Sequence, residues 1–216
     1  MYVKDNMVPS PITIKADNSV SEAIDIMSEN KLHRLPVIDN NGKLIGLLTE
    51  GIIASNTPNN ASTLSVFELN YLLNKLKVAD IMIKDVITIS KEALLEEAAT
   101  ILRKYDIGCL PVVDENNKLE GIITHNDIFT AFIDLLGYNH NGMRYVISIP
   151  EDRPGVLEDI GRILSDKGIS ISNMAVYNGT RGIEIVVISY GYEDVSEDLK
   201  AAGYNLTSVV KLKQTF

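Results

Sequence analysis

The first fifty residues of the chain show two successive patterns of hydrophobic positions, the first with helical spacing and the second in two short β-forming runs. Residues 19–22 (Ser-Val-Ser-Glu) have the spacing of a capping box, and apolar residues then recur at the helical period. Two runs of β-forming residues come next, Leu35–Ile38 and Lys43–Leu48, and the turn-forming residues 39–42 (Asp-Asn-Asn-Gly) lie between them. The pattern predicts an amphipathic helix followed by a β-hairpin.

The same pattern occurs a second time, 75 positions later. This shift places LPVID (35–39) on LPVVD (110–114) and GLLT (46–49) on GIIT (121–124) without a gap, and nine of the fifteen positions in 35–49 are identical. Several matches in one register indicate an internal duplication. The second copy is predicted to form a helix and two strands over Ala93–Tyr105, Cys109–Val113 and Lys118–Ile123.

Each copy, with its leading apolar stretch and closing helix, is predicted to be a βαββα unit. We assign residues 1–54 to the first repeat and 78–137 to the second, whose last helix, Asp127–Leu136, ends at Gly137. Between them, 55–77 is a linker in which a polar stretch precedes a helical pattern over Val66–Leu76.

The last part of the chain, 143–216, follows a different order of elements. Strand and helix patterns alternate as βαββαβ, which suggests a ferredoxin-like sandwich. The predicted elements are Tyr145–Ile149, Gly155–Lys167, Ile169–Val176, Ile183–Ser189, Asp194–Ala202 and Asn205–Leu212, with a turn at Asn178-Gly179-Thr180 between the middle strands. The whole chain therefore belongs to the mixed α/β (α+β) class.

Composition narrows the classes of partner. With 216 residues, 20 basic against 29 acidic side chains and a net charge of −9, the chain repels nucleic acid and anionic lipid surfaces. A single cysteine, Cys109, excludes an intramolecular disulfide, and its apolar strand favours a small core residue. The N-terminus lacks a secretory signal and no apolar run reaches the roughly 18 residues of a membrane span, so we expect a cytoplasmic protein.

The tandem units with LPVID and G-h-h-T resemble a pair of CBS domains, a family of regulatory nucleotide-binding modules. The second copy carries the family's ribose signature, G-h-h-[ST]-x-x-D, in full as GIITHND (121–127). The first copy reads GLLTEGI (46–52), with Ile52 where the ribose-binding aspartate is expected. The resemblance therefore implies one full nucleotide site, not two.

An adenosine ligand needs an acceptor for its two ribose hydroxyls, and Asp127 beside Thr124 meets that need at a strand-to-helix junction. The helix N-terminus there also favours an anionic group. The alternative is that Asp127 only caps its helix and Thr124 only ends a strand.

The resemblance implies further nucleotide contacts from His33 and Arg34, which precede LPVID, toward phosphate. The second copy has Gly108 and Cys109 at those positions, so the first repeat would supply cations to a cleft in which the second supplies the ribose acceptor. Ile87 and Thr88 would line the base. The alternatives are an exposed basic pair and plain edge-strand residues.

Residues 143–216, with DRPGVL (152–157) and DKGI (166–169), resemble an ACT domain, a module that binds amino acids at subunit interfaces. The resemblance implies candidate amino-acid ligands at Asp152, Pro154, Gly155 and Ser170. Family members that bind amino acids often carry Asn at the positions of Asp152 and Ser170, where this chain differs. A helix start with Pro at its first position, and a domain that only dimerises, are the alternatives.

The order CBS–CBS–ACT resembles the B proteins of bacterial acetoin utilisation, which implies a link with acetoin or carbon metabolism. We expect a non-catalytic, homodimeric ligand sensor that binds AMP, ADP, ATP or S-adenosylmethionine, needs no cofactor or metal, and is read by a regulated partner protein. The spacing of the three histidines and Cys109 suits neither a metal site nor a catalytic triad, and the sequence has no P-loop, GxGxxG or GxSxG motif. The alternatives are a constitutive dimeric scaffold with degenerate sites and, third, a small enzyme.

Overall fold

The computed structural model describes residues 1–57, 66–151, 153–179 and 182–213. The chain divides into two compact units, Met1–Ile128 and Phe129–Phe216, and the boundary lies inside helix α6 (His125–Leu135). Within the described ranges, no helix is long and apolar enough to cross a membrane.

The first unit contains the two repeats, and their predicted helices and hairpins are confirmed. The capping box at 19–22 is present, because Ser19 Oγ accepts the Glu22 N–H and the Glu22 carboxylate accepts the Ser19 N–H. The elements are β1 (Val8–Pro9), α1 (Val20–Asn30), β2 (Arg34–Ile38), β3 (Leu44–Thr49), α2 (Glu50–Asn56), α3 (Val66–Lys75), α4 (Val78–Ile81), α5 (Leu95–Tyr105), β4 (Cys109–Val113), β5 (Leu119–Thr124) and the start of α6. Most of the predicted linker loop, residues 58–65, lies outside the described residues.

The two repeats exchange their leading segments. Strand β1, which begins the first repeat, pairs with β5 of the second, while Ile83 of the second repeat exchanges two backbone hydrogen bonds with Leu47 of β3. Each hairpin therefore acquires a neighbour from the other repeat, and the two copies form one unit.

The apolar stretches expected to open each unit as strands are shorter than predicted. Each makes a single parallel bridge, Ile14 with Val37 and Ile89 with Val112. The chain turns toward its helix directly afterwards, since the Lys15 N–H donates to the Asn18 side chain in the first copy and the Glu92 N–H donates to Ser90 Oγ in the second. These local hydrogen bonds compete with the backbone hydrogen bonds that would extend each single bridge into a longer parallel strand pair.

The second unit confirms the βαββαβ order. Its elements are β6 (Gly142–Ile149), α7 (Val156–Asp166), β7 (Ile171–Gly179), β8 (Gly182–Tyr190), α8 (Ser196–Ala201) and β9 (Asn205–Leu212), and the antiparallel sheet has the order β7-β8-β6-β9. Thr180 of the predicted turn lies outside the described residues.

One face of this sheet packs against α7 and α8 around the fully buried Tyr145, Ile160 and Leu199. The opposite face carries a second apolar cluster that includes Val146, Val186, Ile188 and Leu212. Both faces of the sheet are therefore apolar.

Candidate functional site

The junction of β5 and α6 is organised by Asp127. Its Oδ2 accepts two hydrogen bonds from Thr124, one from the backbone N–H and one from the hydroxyl, each at 2.7 Å. The capping role foreseen as the alternative is therefore present. Neither bond uses Oδ1, and the half-buried carboxylate is fixed in position at the start of an eleven-residue helix.

The first repeat has a different arrangement at the equivalent junction. Thr49 Oγ1 accepts the Ile52 N–H at 3.2 Å, and Ile52 packs against the apolar core of the repeat. The hydroxyl is an acceptor here, whereas the Thr124 hydroxyl is a donor to a carboxylate. Ile52 offers no acceptor for a diol.

Arg34 extends from the first repeat to the second. Its guanidinium lies against Gly108, in the space that a side chain at that position would occupy. Gly108 directly precedes Cys109, and Cys109 is paired with Thr124 across β4 and β5. This geometry is compatible with the expected cleft, to which the first repeat supplies a cation and the second repeat supplies the ribose acceptor. In the sequence Gly108 stands out only as a missing basic residue, but its lack of a side chain is what admits Arg34.

His33 is engaged differently from Arg34. Its Nδ1 lies 2.8 Å from Glu50 Oε2, and the two side chains are 72% and 60% exposed. Because Glu50 competes for any positive charge on the ring, Arg34 is the cation of this pair better placed to meet a ligand anion. Among the described residues, no three His, Cys, Asp or Glu side chains are grouped as a metal site.

Ile87 and Thr88 lie at the same end of the second repeat's strands as Thr124. They are half-buried and directly precede Ile89, which bridges Val112 in parallel register. Ile87 and Thr88 thus lie toward the strand end that holds Cys109 and Thr124, and Arg34 contacts Gly108 next to that end.

Cys109 is a buried core residue, as predicted, with 4% of its surface exposed. Burial raises the pKa of its thiol to about 11, and the nearby Arg34 charge offsets this only in part. The thiol is therefore protonated at neutral pH and is not a nucleophile in the folded chain.

We expect Cys109 to resist alkylation in the folded protein. A pKa near 11 leaves a thiolate fraction at pH 8 roughly a hundredfold or more below that of an unperturbed cysteine. The measurement is the rate of iodoacetamide labelling at pH 8, with the guanidinium-denatured chain as control. Native and denatured rates within tenfold of each other would contradict the buried placement.

In the second unit, Gly155 borders a cavity of about 480 Å³ before helix α7. Gly155 has φ +94° and a Cβ there would meet nothing within 4 Å. The segment before α7 is held by Arg153, whose guanidinium lies 2.8 Å from the Asp159 carboxylate. The hydrogen bond from Arg153 lowers the pKa of Asp159. The other cavity residues are Val156, Leu157, Glu158, Val176, Ile183 and Ile185.

The candidate amino-acid ligands do not all meet at this cavity. Pro154 is exposed beside Gly155, and Asp152 lies outside the described residues. Ser170 is exposed at the other end of β7, six residues from the cavity residue Val176, or about 20 Å along the strand. Of the candidates that the structure describes, Gly155 lines the cavity, whereas Pro154 and Ser170 do not.

Two relatives each match more than half of the chain. The inosine-5'-monophosphate dehydrogenase of Aquifex aeolicus is 36% identical over 126 residues, which is 58% of this chain and 23% of that enzyme. A CBS domain-containing protein of Dictyostelium discoideum is 34% identical over 142 residues, 63% of this chain and 94% of that protein. The chain thus spans under a quarter of the Aquifex enzyme.

Three solved structures also resemble more than half of the chain. The CBS domain pair of protein MJ0100, in complex with 5'-methylthioadenosine and S-adenosyl-L-methionine, is 31% identical with a TM-score of 0.51 and covers 61% of this chain and 99% of that one. CBSX2 in complex with AMP is 30% identical with a TM-score of 0.53, and the match covers 62% of this chain and 97% of CBSX2. A Vibrio cholerae protein described as an acetoin utilization protein (AcuB) is 29% identical with a TM-score of 0.53. The match covers 63% of this chain and 93% of that protein.

Family comparison assigns both parts of the chain. Residues 3–56 and 78–134 match the CBS domain, and residues 146–209 match the ACT domain. The order of modules inferred from the repeats and from the βαββαβ pattern is confirmed. Both are regulatory modules, and the chain belongs to the CBS-domain family, with an ACT domain after its CBS pair.

Proposed function

We propose that the chain is a non-catalytic regulatory sensor that binds one adenine nucleotide at the β5–α6 junction. The observation that carries the proposal is the Asp127 carboxylate, fixed by two hydrogen bonds to Thr124 that leave Oδ1 unused. A fixed carboxylate just after a strand end, with apolar Ile87 toward the same end of the strands and Arg34 of the other repeat against Gly108, suits a ribose flanked by a base and an anionic tail.

Each residue has a definite role in this proposal. Asp127 accepts the two ribose hydroxyls, Ile87 and Thr88 contact the base, and Arg34 faces the anionic tail. Thr124 orients the carboxylate, and the N-terminus of α6 adds backbone N–H groups and a favourable dipole for an anion. His33 contributes only when its contact with Glu50 opens.

The comparisons support an adenine compound as the ligand. The CBS pair of MJ0100 was solved with 5'-methylthioadenosine and S-adenosyl-L-methionine, and CBSX2 with AMP. In place of the phosphate of AMP, 5'-methylthioadenosine carries a neutral thioether and S-adenosyl-L-methionine carries a sulfonium-linked amino acid. The group attached to the ribose is therefore the part of the ligand that varies. We therefore propose AMP, ADP, ATP or S-adenosylmethionine, and the tail selects among them.

Ligand-dependent stabilisation tests the proposal on the full chain. A compound that binds only the folded state stabilises it by RT ln(1 + [L]/Kd), about 2.7 kcal/mol at a hundred times Kd. At least one of AMP, ADP, ATP, S-adenosylmethionine and 5'-methylthioadenosine should raise Tm with the logarithm of its concentration above Kd, and ribose 5-phosphate should do so far less. If no adenine compound raises Tm, the nucleotide proposal is wrong and the constitutive scaffold becomes the better account of the CBS pair.

We also propose that the functional species is a cytoplasmic homodimer whose arrangement a regulated partner protein reads. Strand β7 supports dimerisation, because it pairs only with β8 among the described strands and exposes Val176 and Tyr177. An unpaired strand edge is a template for pairing with another chain. A ligand acts as a switch by binding one dimer arrangement better than another.

Light scattering at micromolar concentration tests the dimer directly. We expect a mass near twice the 23.8 kDa of one chain, with and without nucleotide. A mass near 23.8 kDa in both conditions would contradict the dimer and leave the nucleotide proposal to its own test.

An amino acid is a second candidate ligand, at the ACT domain. The cavity beside Gly155 supports it, because open space around that residue leaves backbone N–H groups at the start of α7 accessible to a carboxylate. The likeness to the Vibrio cholerae protein supports a link with acetoin utilisation or carbon metabolism. The same Tm measurement with the twenty amino acids tests this candidate, and a domain that only dimerises would show no shift.

A further inference from the structure

The second unit contains an apolar cavity of about 690 Å³ on the sheet face opposite α7 and α8. Small-molecule sites measure roughly 300–1,000 Å³. Its floor comes from β7, β8, β6 and β9, and its wall from the residues at the end of α6 and just after it. Most of the surface is aliphatic or aromatic, as Phe132, Leu136, Ala175, Val186, Ile188 and Val210 illustrate.

Arg144 is the exception in the floor of this cavity. It lies on β6, an inner strand of the sheet, opposite Ile188 on one side and Val210 on the other, so the three side chains share one face. Asn173 on β7 completes the row. The half-buried Arg144 side chain thus has apolar Ile188 and Val210 as its two cross-strand neighbours in the middle of the sheet.

The Arg144 guanidinium has no carboxylate within ion-pair distance among residues 1–57, 66–151, 153–179 and 182–213. Glu184 lies on the same face two rows away and is hydrogen-bonded to Tyr177. On α6, Asp134 Oδ1 accepts a hydrogen bond from the Asn139 side chain. A charge in an apolar setting without a counter-ion is costly, and an incoming anion would remove that cost.

The wall of the cavity is fixed to its floor. The Asn173 side-chain amide donates to the Leu135 carbonyl at 2.9 Å, which satisfies one of the free carbonyls at the end of α6. Gly137, at φ +68°, turns the chain there, and the Asn173 side chain occupies the space that a Cβ at 137 would need. A wall that is joined to the floor by these contacts lowers the entropic cost of binding.

We propose that this cavity binds an apolar monocarboxylate, whose carboxylate pairs with Arg144 and whose hydrocarbon part fills the space above Ala175, Val186 and Ile188. One planar guanidinium matches one carboxylate in a bidentate pair. A zwitterionic amino acid fits less well, because no lining residue is an anion that would receive its ammonium group. The site is independent of the nucleotide proposal.

Calorimetric titration of the full chain with decanoate and with decan-1-ol separates the charge from the apolar contact. Decanoate should bind the unaltered chain more tightly than the alcohol. Arg144→Met, which keeps the apolar stem, should weaken decanoate about ten- to a hundredfold and leave the alcohol unchanged. Arg162→Met, an exposed arginine on α7 that is paired with Glu158, is the matched control and should bind both as the unaltered chain does.

Two outcomes would overturn the proposal. Equal decanoate affinity in Arg144→Met and the unaltered chain would mean that the arginine only covers apolar surface with its stem. Absence of decanoate binding to the unaltered chain would also overturn it, and a change of mass in light scattering on Arg144→Met would then show that a second copy covers this face. Val210→Phe, which fills the cavity from an exposed strand position, should abolish both ligands and gives a second test if Arg144→Met fails to fold.

Discussion

Replacing Asp127 by alanine is expected to weaken AMP binding about ten- to a hundredfold and also to lower the thermal stability of the unliganded chain. The affinity falls because a charged acceptor for two ribose hydroxyls is lost, an effect of roughly 1.5–3 kcal/mol. The stability falls because the two hydrogen bonds from Thr124 are lost with it, an effect of about 1 kcal/mol. Calorimetric Kd and thermal midpoint are measured on the same variant.

Glu22→Ala is the matched control for this experiment. Glu22 caps α1 by accepting the Ser19 N–H at 2.7 Å, and α1 has eleven residues like α6. We expect the control to lose a similar stability and to keep its affinity for AMP. If Asp127→Ala behaved as Glu22→Ala does, with a lowered midpoint and unchanged Kd, Asp127 would be a helix cap alone.

Replacing Arg34 by methionine is expected to change which adenine compound is preferred. AMP should bind about ten- to a hundredfold more weakly, because a charge-assisted contact to its phosphate is removed. The affinity for 5'-methylthioadenosine, which has no phosphate, should change little. Titrations of both compounds with the same preparation give the ratio of the two Kd values, which is the quantity to compare.

Gly108→Ala provides an independent approach to the same contact. A Cβ at 108 would occupy the place of the Arg34 guanidinium and displace it, although Arg34 itself is unchanged. We expect the same selective loss of AMP affinity. Arg103→Met, an exposed arginine on α5, should have no effect. An equal loss for AMP and 5'-methylthioadenosine in Arg34→Met would contradict a phosphate role and indicate a general distortion of the cleft.

The local elements of this protein were predictable because their signals are local. The capping box at 19–22, the turn residues between β2 and β3 and the glycine after α6 each determine structure within a few positions. The duplication strengthened these predictions, because the helix and hairpin patterns of each copy support the assignment of the same elements in the other. The family match then confirmed the CBS and ACT assignments.

The long-range features were not predictable from these patterns. The exchange of β1 and Ile83 between the repeats depends on pairing across more than thirty residues, which hydrophobic periodicity does not encode. The fit of Arg34 against Gly108 needs two positions far apart in sequence to meet. Neither contact has a signature in either repeat taken alone.

Arg144 could have been noticed in the sequence. It is the one charged residue in the strand sequence GMRYVISI, at a position that alternation assigns to the face opposite the buried Tyr145. Alternation predicts a solvated side chain there. Only the second apolar cluster of the sheet, with the end of α6 above it, makes the position half-buried.

The number of adenine nucleotides bound per chain tests the account most directly. Calorimetric titration of the unaltered full-length protein with AMP and with S-adenosylmethionine should give one dominant site per chain for at least one of them, because Asp127 is present at one junction and Ile52 replaces it at the other. Two sites of equal affinity per chain, or no binding of either compound, would contradict it.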